Sequence, residues 1–480
     1  MSSVIHDHLH APNRFAVIPT SVRLNADADY TGKGITIAFL DSGFYPHPDL
    51  IEPVNRILFY KDITGERATL DTTNPASWQW HGTQTSIVAA GNGHLADGIY
   101  KGLANQSQLV LVKVSENGRI TEDNIARGIK WVIANRERFK IRILNISLGG
   151  DNDVPCTRSI IDQAAEEAIK SGIVVVVAAG NSGNTHSIPP ANSPSVLTIG
   201  GYHDNNQPDH NDLALYHSNF GATADGTVKP EVVAPAMWVA APILPDTNLY
   251  SRAEALSRFA ATPDYKLPSL ARELEDVAEL PEDLLQSKAD IIRNHIDTVL
   301  RDLKIVATHY QHVDGTSFAA PIVTSVVAQM LEANPTLTPG AVKNILISTA
   351  DRIADAPAIR QGFGVVNARR AVQLAKKEQH ALNTAGCSPP RVQNGNLVFM
   401  YHDDNAQAVT LAGDFNGWNA ASNPLHKDST GIWLCHIPTP GPGRYEYKFV
   451  VDHSSWIEDP GNGLKVADGF GGLNSVLIVQ

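Results

Sequence analysis

Apolar and polar positions follow two different rhythms along this chain. Through about residue 240, short apolar runs alternate with segments whose apolar residues recur every three or four positions. Ile35 to Leu40, Leu109 to Val114, Ile143 to Leu148, Ile173 to Ala179 and Val196 to Gly200 are runs of the first kind. His81 to Ala90, Asn124 to Arg136 and Ser159 to Lys170 are of the second kind. Strands apolar on both faces, alternating with helices, predict an α/β domain whose mostly parallel sheet is covered on both sides. Ligands of such sheets bind beyond the carboxyl ends of the strands. Asp41, Asn181 and the stretch from Ser147 to Gly150 fall there.

From Pro242 to Gln311 the character changes. Leu285, Ala289, Ile292, Ile296, Val299, Leu300 and Leu303 predict an amphipathic helix over Glu282 to Leu303, and Leu270, Leu274 and Val277 predict a shorter one before it. Long helices then run from Thr316 to Glu332, Pro339 to Thr349 and Ala368 to Lys376. A Gly/Ser/Pro-containing stretch, 381–395, reads as a linker. Beyond it the period is two. Asn396 to Tyr401, Ala408 to Ala412, Ile432 to Ile437, Arg444 to Val451 and Val476 to Val479 read as strands, with Tyr445, Tyr447, Phe449 and Val451 on one face. The expected organisation is a first domain over 1–380 with a helical insert at about 242–311, the linker, and a small β-sandwich over 396–480.

Composition narrows the classes. The 480 residues are 43% hydrophobic and 18% charged, which excludes collagen, coiled coil and global disorder. The longest apolar stretch, Ile173 to Ala179, is too short for a transmembrane helix, so no membrane partner is expected. The formal net charge of −12 argues against nucleic acid as a partner. Three cysteines, Cys156, Cys387 and Cys435, are no disulfide framework. With no basic-then-apolar segment at the start, a cytoplasmic location is expected.

Three distant segments carry chemistry: Asp41-Ser42-Gly43, His81-Gly82-Thr83 and Gly315-Thr316-Ser317 through Pro321. A serine is a weak nucleophile unless a histidine takes its proton, and that imidazole needs a carboxylate to fix its tautomer. Ser317 opens a helix, where backbone N–H groups favour a developing oxyanion, and Asn181 supplies a side-chain donor.

At these motifs the chain resembles the subtilisin-like serine proteases, the subtilases of peptidase family S8. The resemblance covers roughly residues 11–376. It includes His47-Pro48-Asp49-Leu50, Asn145 through Gly149, Ala179-Gly180-Asn181, Lys229 through Pro235 and Gly364 through Ala368. It implies a three-layer α/β/α fold, an endopeptidase acting on a peptide or protein substrate, and an Asp…His…Ser order of catalytic residues. Asp41 would orient, His81 would act as base then acid, and Ser317 would attack. Asn181 and the Ser317 amide would form the oxyanion hole. Ser147, Leu148 and Gly149 would pair with substrate and, with Ala179 and Gly180, wall its first specificity pocket. Ile188 falls near that pocket's floor and points to small or medium apolar side chains. Gln84 and Phe318 stand where relatives commonly have His and Met. No cofactor is required for the chemistry. A structural calcium ion is common in the family; Asp49 matches one ligand, and the other oxygens it needs are not identified. The insert reads either as a surface decoration or as a lid beside Ser317.

The C-terminal strings Gly413-Asp414-Phe415-Asn416-Gly417-Trp418, Gly431-Ile432-Trp433, Gly443 through Asp452, Trp456 and Asn474-Ser475-Val476 resemble the glycogen-binding modules of carbohydrate-binding family 48, the type found in AMP-activated kinase β-subunits. These are immunoglobulin-like sandwiches. The resemblance implies an α-glucan partner such as glycogen or starch, contacted by Trp418, Lys448, Trp456 and Asn474, with Trp433 in the core. The loop before Trp456 is one residue longer than usual, which shifts that ring. Together the readings give a serine endopeptidase localised on α-glucan. The alternative is a catalytically inactive subtilase-fold scaffold that binds glucan.

Overall fold

The computed structural model describes residues 17–66, 69–70, 75–150, 154–207, 212–377, 390–393, 395–403, 405–428, 431–462, 464–470 and 472–479. Most of the expected linker and Cys387 lie outside them.

Seven parallel strands form the centre: β1 (Thr36–Asp41), β2 (Ile57–Asp62), β3 (Gln108–Lys113), β4 (Ile141–Ile146), β5 (Val174–Ala178), β6 (Leu197–His203) and β7 (Val232–Pro235), in the spatial order β7-β6-β5-β4-β1-β3-β2. The short strand Ala214–Leu215 adds antiparallel to β6. Alternate residues feed opposite layers. Ile37, Phe39, Leu109, Leu111, Val174 and Val176 pack on one side. Ala38, Leu40, Val110, Val112, Val175 and Val177 pack on the other. Burying both faces is what makes these strands continuously apolar rather than alternating.

The first side is covered by α1 (Trp80–Ala90) and three later helices, the second by α2 (Glu122–Phe139) and α3 (Ile160–Lys170). Thr121 and Ser159 cap α2 and α3 through their hydroxyls, accepting from Asn124 N and Asp162 N. The expected strands are present with ends shifted by one to three residues. Strands β2 and β7 were not among them. β2 is mostly half-exposed and carries Tyr60-Lys61-Asp62, so it lacks the apolar signature of the others.

The insert is a helical unit with its own core. After β8 (Val239–Pro242) come α4 (Asn248–Ala261), α5 (Leu267–Glu273) and α6 (Ala289–Asp302), then β9 (Ile305–Ala307) and β10 (Tyr310–Val313). Leu256, Phe259, Leu267, Leu270, Ile292, Ile296 and Leu300 pack on one another. The predicted helix over 282–303 is broken: a 3₁₀ turn, Glu282–Gln286, ends at extended Ser287, and α6 starts afterwards. Strands β8, β10 and β9 pair antiparallel in that order, so the insert returns through β10 directly into Gly315. Then follow α7 (Thr316–Ala333), α8 (Pro339–Thr349) and α9 (Ala368–Lys377).

The C-terminal part is a β-sandwich. One sheet runs β11 (Arg391–Gln393), β12 (Asn396–His402), β15 (Ile432–Pro438), β14 (His426–Lys427). The other runs β13 (Val409–Gly413), β16 (Gly443–Val451), β19 (Leu473–Val479), β18 (Lys465–Ala467), with β17 (Ser455–Ile457) on β16. Tyr447, Phe449, Val451 and Trp433 lie between the sheets, as their spacing predicts. β11 begins inside the stretch expected as linker, and Val392 N donates to Asp225 O of the first domain at 3.0 Å.

Candidate active site

β1 ends at Asp41 in the middle of the sheet, and its carboxylate is held on several sides. Ser42 N donates to Oδ1 at 2.7 Å and Thr85 Oγ1 to Oδ2 at 3.2 Å. His81, in the first turn of α1, places Nδ1 2.8 Å from Asp41 Oδ1. Asp41 is buried, while the imidazole keeps 22% of its surface exposed. Burial disfavours charge on His81, but the field and hydrogen bond of Asp41 outweigh it and hold the imidazole above its usual range. Nδ1 being engaged, Nε2 is the nitrogen open to a reacting group.

Ser317 is the second residue of α7. Its carbonyl would normally accept from the N–H four residues on, but that residue is Pro321. The freed carbonyl accepts instead from Ser147 Oγ at 2.9 Å. Ser147 is held by Asn145 Nδ2 at 3.0 Å, and Asn145 Oδ1 by Thr324 Oγ1 at 2.9 Å. The Ser317 hydroxyl donates to the Ser147 carbonyl at 3.3 Å, and among the described residues no hydrogen bond joins it to His81. The two are nevertheless neighbours, since the ring of Phe318 lies 5.8 Å from that of His81. Phe318 is buried there.

Two donors lie near Gly315: a Cβ there would stand 3.5 Å from Asn181 Nδ2 and 3.8 Å from Ser317 N. Asn181 Oδ1 accepts from Thr316 N and Thr316 Oγ1 at 2.8 and 2.9 Å, which turns Nδ2 outward. The Ser317 N–H, at the open end of the helix, has no acceptor among the described residues. The neighbouring strands β4 and β5 end side by side and hand over to Ser147-Leu148-Gly149 and Ala179-Gly180. Gly180 N donates to Thr316 Oγ1 at 3.1 Å, which fixes the turn after β5 to the start of α7. Gly149 lies so close to Ile188-Pro189 that a Cβ would stand 2.8 Å from the Pro189 carbonyl oxygen and 3.3 Å from Ile188 Cδ1. Gln84 points away from this cluster, and its Nε2 donates to Pro242 O at 2.9 Å, tying α1 to the start of the insert.

These residues make up one serine–histidine–aspartate neighbourhood at the carboxyl edge of a parallel sheet, with the Asn181 side chain and the Ser317 N–H beside it. The subtilase family model matches residues 32–366. The chain belongs to the subtilase family. Serine protease AprX of Bacillus subtilis (strain 168) is 32% identical over 356 residues, 71% of this chain and 67% of that protein. Minor extracellular protease Epr of the same organism is 31% identical over 244 residues, 46% of this chain and 34% of its own. The chain thus spans about two thirds of the first relative's length and a third of the second's. A solved structure of a cold adapted subtilisin-like serine proteinase aligns with 74% of this chain and 95% of its own at 21% identity and a TM-score of 0.45. By its family this subtilase is a subtilisin-type serine endopeptidase. Residues 385–465 match carbohydrate-binding module 48 (Isoamylase N-terminal domain).

Asp49, the calcium candidate, is fully buried. Its Oδ1 accepts from Leu95 N at 3.2 Å and its Oδ2 from the Tyr310 hydroxyl of β10. Among the described residues no group of three or more His, Cys, Asp or Glu is placed to hold a metal ion. One carboxylate already bonded to a phenol and an amide does not fit a calcium cage, which needs six or more oxygens. In this subtilase Asp49 joins the insert to the core.

In the C-terminal module, Trp418, Lys448, Trp456 and Asn474 all line one cleft of ≈ 690 Å³. The rings of Trp418 and Trp456 stand 6.4 Å apart at 34°. Trp456 is 46% exposed, so the longer loop leaves it in the cleft. Lys448 Nζ pairs with Asp468 at 2.6 Å and Asn474 Nδ2 donates to Glu446 at 2.9 Å. Phe470, 97% exposed, also lines the cleft, presented by a loop whose Phe470 and Gly472 N–H groups bond Asp468 Oδ1. Sequence reasoning missed Asp468 and Phe470, which lie in a Gly-rich turn without period.

Proposed function

We propose that this subtilase hydrolyses peptide bonds through an acyl-enzyme on Ser317. The observation that carries the reading is the gathering of His81, oriented by Asp41 at 2.8 Å, with Ser317 and two donors, Ser317 N–H and Asn181 Nδ2, that have no acceptor among the described residues. On substrate binding the Ser317 hydroxyl leaves the Ser147 carbonyl for His81 Nε2; catalytic hydrogen bonds of this kind commonly tighten only then. Oγ then bonds to the scissile carbonyl carbon while Nε2 takes its proton. The oxyanion accepts from the Ser317 N–H and Asn181 Nδ2. The C–N bond breaks and His81 returns the proton to the leaving amine. Water attacks the acyl group with His81 again as base, releasing the acid. The substrate backbone pairs along Ser147 to Gly149, and one side chain enters the recess bounded by Gly149 and Ala179-Gly180.

An internally quenched peptide tests this. The wild type is expected to cleave it to a new free amine, and Ser317→Ala to lose at least about 10³-fold in kcat. Equal cleavage by the variant would refute the reading.

For the C-terminal module we propose that the cleft between Trp418 and Trp456 holds an α-glucan, the indoles stacking on sugar faces while Lys448 and Asn474 donate to hydroxyls. Support comes from the convergence of these four residues in one exposed cleft and from the module match. Retention of the whole chain on amylopectin is expected. Its absence, with the module folded by near-UV circular dichroism, would dismiss glucan as the ligand.

A further inference from the structure

The loop that leads into Ser317 hangs on a turn of the core. Ala236-Met237-Trp238 joins β7 to β8, and the Ala236 carbonyl accepts from Gly315 N at 2.7 Å. Trp238 holds a positive φ of 57°, uncommon for an aromatic residue, so the turn has to be held in place. The buried Arg23 does this. Its guanidinium donates to the Met237 and Trp238 carbonyls at 2.9 and 3.0 Å and makes a two-point pair with Asp204 at 2.7 and 2.9 Å. A planar group with several N–H donors can meet two carbonyls and a carboxylate at once.

Asp314 lies between this turn and the helical insert. Its Oδ1 accepts from Trp238 N at 3.1 Å, and its Oδ2 accepts from Lys304 Nζ at 2.6 Å. Lys304 precedes β9 and is pinned to β10, since its carbonyl accepts from His312 N at 2.8 Å. The His312 ring lies 4.4 Å from that of Trp238, and its Nδ1 3.8 Å from Asp314 Oδ1. One carboxylate thus bonds the core turn on one side and the insert on the other. Lys304 and Asp314 keep 47% and 21% of their side chains exposed, so their ion pair adds little to global stability. What it sets is the place of Gly315 and Thr316. Thr316 N and Oγ1 hold Asn181 Oδ1 at 2.8 and 2.9 Å, and Ser317 N is the next amide along. A shift at Asp314 is therefore passed, two residues on, to Asn181 Nδ2 and the Ser317 N–H.

We propose that Asp314 is a positioning residue for the reaction: by joining Trp238 N to Lys304 of the insert it fixes the Gly315–Thr316 backbone, which sets Asn181 Nδ2 and the Ser317 N–H against the developing oxyanion. This rests on the peptidase reading above. It gives the insert, through Lys304, a part in the geometry of the serine site.

The test is a double-mutant cycle on the full chain, read with a short quenched peptide. Asp314→Ala removes both bonds and is expected to lower kcat about 10–10²-fold with KM within about twofold, because a donor misplaced by about 1 Å forfeits most of its effect. Asp314→Asn keeps an acceptor for Trp238 N and should lose only severalfold, as should Lys304→Met. In an Asn181→Ala background, Asp314→Ala should lose at least about fivefold less than in the wild type, since one donor that it places is already gone. A smaller folded fraction would scale both backgrounds alike and so cannot imitate this coupling. Equal losses in the two backgrounds, a loss confined to KM, or wild-type kcat in Asp314→Ala or Lys304→Met overturns the assignment. A wild type that cleaves no peptide is a different result: it refutes the peptidase reading, and this inference falls with it.

Discussion

The Ser317 carbonyl is free because Pro321 has no N–H to offer it, and Ser147 exploits that freedom to anchor the helix start. Small local facts of this kind set the site. Asp41, His81, Ser317 and Asn181 were legible in sequence because each sits in a short motif at the end of a strand or the start of a helix. The side chains that hold them, Thr85 on Asp41 and Thr324 on Asn145, were not, because neither stands in a pattern that points to its partner. Two predictions belong at this scale. His81 acts as a base only when neutral, and Asp41 holds its pKa above the ordinary 6.5. Hydrolysis is therefore expected to be present at higher pH and lost as pH falls through a midpoint above 6.5, read from the acid limb of kcat/KM. An acid limb centred below that value would mean that Asp41 does not stabilise the charged imidazole. Asn181→Ala removes one oxyanion donor and should lower kcat by about 10²–10³ with little change in KM. A loss confined to KM would place Asn181 in ground-state binding instead.

Among the elements, the strands buried on both faces and the amphipathic helices were readable from period alone. What escaped has physical reasons. The helix Asn248–Ala261 carries its signal, Leu249, Ala253, Leu256 and Ala260 at spacings of three and four behind the cap Thr247, but it lies in a stretch whose partners are all local to the insert. The hairpin at Asn117-Gly118 is written in a favoured turn pair, with both residues at positive φ, and it lines a pocket together with Trp78, Trp80 and Lys113. The insert's separate core predicts separate melting. Phe259→Ala is expected to cost the insert about 3–5 kcal/mol. Hydrogen exchange should then show lost protection over α4 to α6 while β1, β4 and β5 keep theirs. Uniform loss across the parallel sheet would mean that insert and core unfold as one unit. The buried Asp49–Tyr310 contact is the place where such coupling would enter.

In the whole molecule, an α/β/α subtilase domain and a β-sandwich are joined in sequence by residues mostly outside those described, and a backbone hydrogen bond from Val392 to Asp225 links them. The Trp418–Trp456 cleft of one and the serine site of the other are built from separate residues, so their functions should separate. Trp418→Ala together with Trp456→Ala is expected to abolish retention on amylopectin and to leave turnover of a short soluble peptide within about twofold, since the indoles and the Trp418–Asp414 hydrogen bond belong to the module alone. A parallel collapse of peptide turnover would show that the module supports the peptidase site. The resemblance of each part was legible because its motifs are dense. The Phe470 loop and the acidic character of the cleft became visible only with the fold, which brings Asp414, Glu446 and Asp468 together from three segments.

The central claim is that Asp41, His81 and Ser317 form a working nucleophile. Its most direct test is intact-mass measurement after treatment with a serine-directed sulfonyl fluoride, with Ser317→Ala alongside. A single adduct on the wild type, absent from the variant, is the predicted result. An unmodified wild type that is shown to be folded, or an adduct that persists in Ser317→Ala, would contradict it.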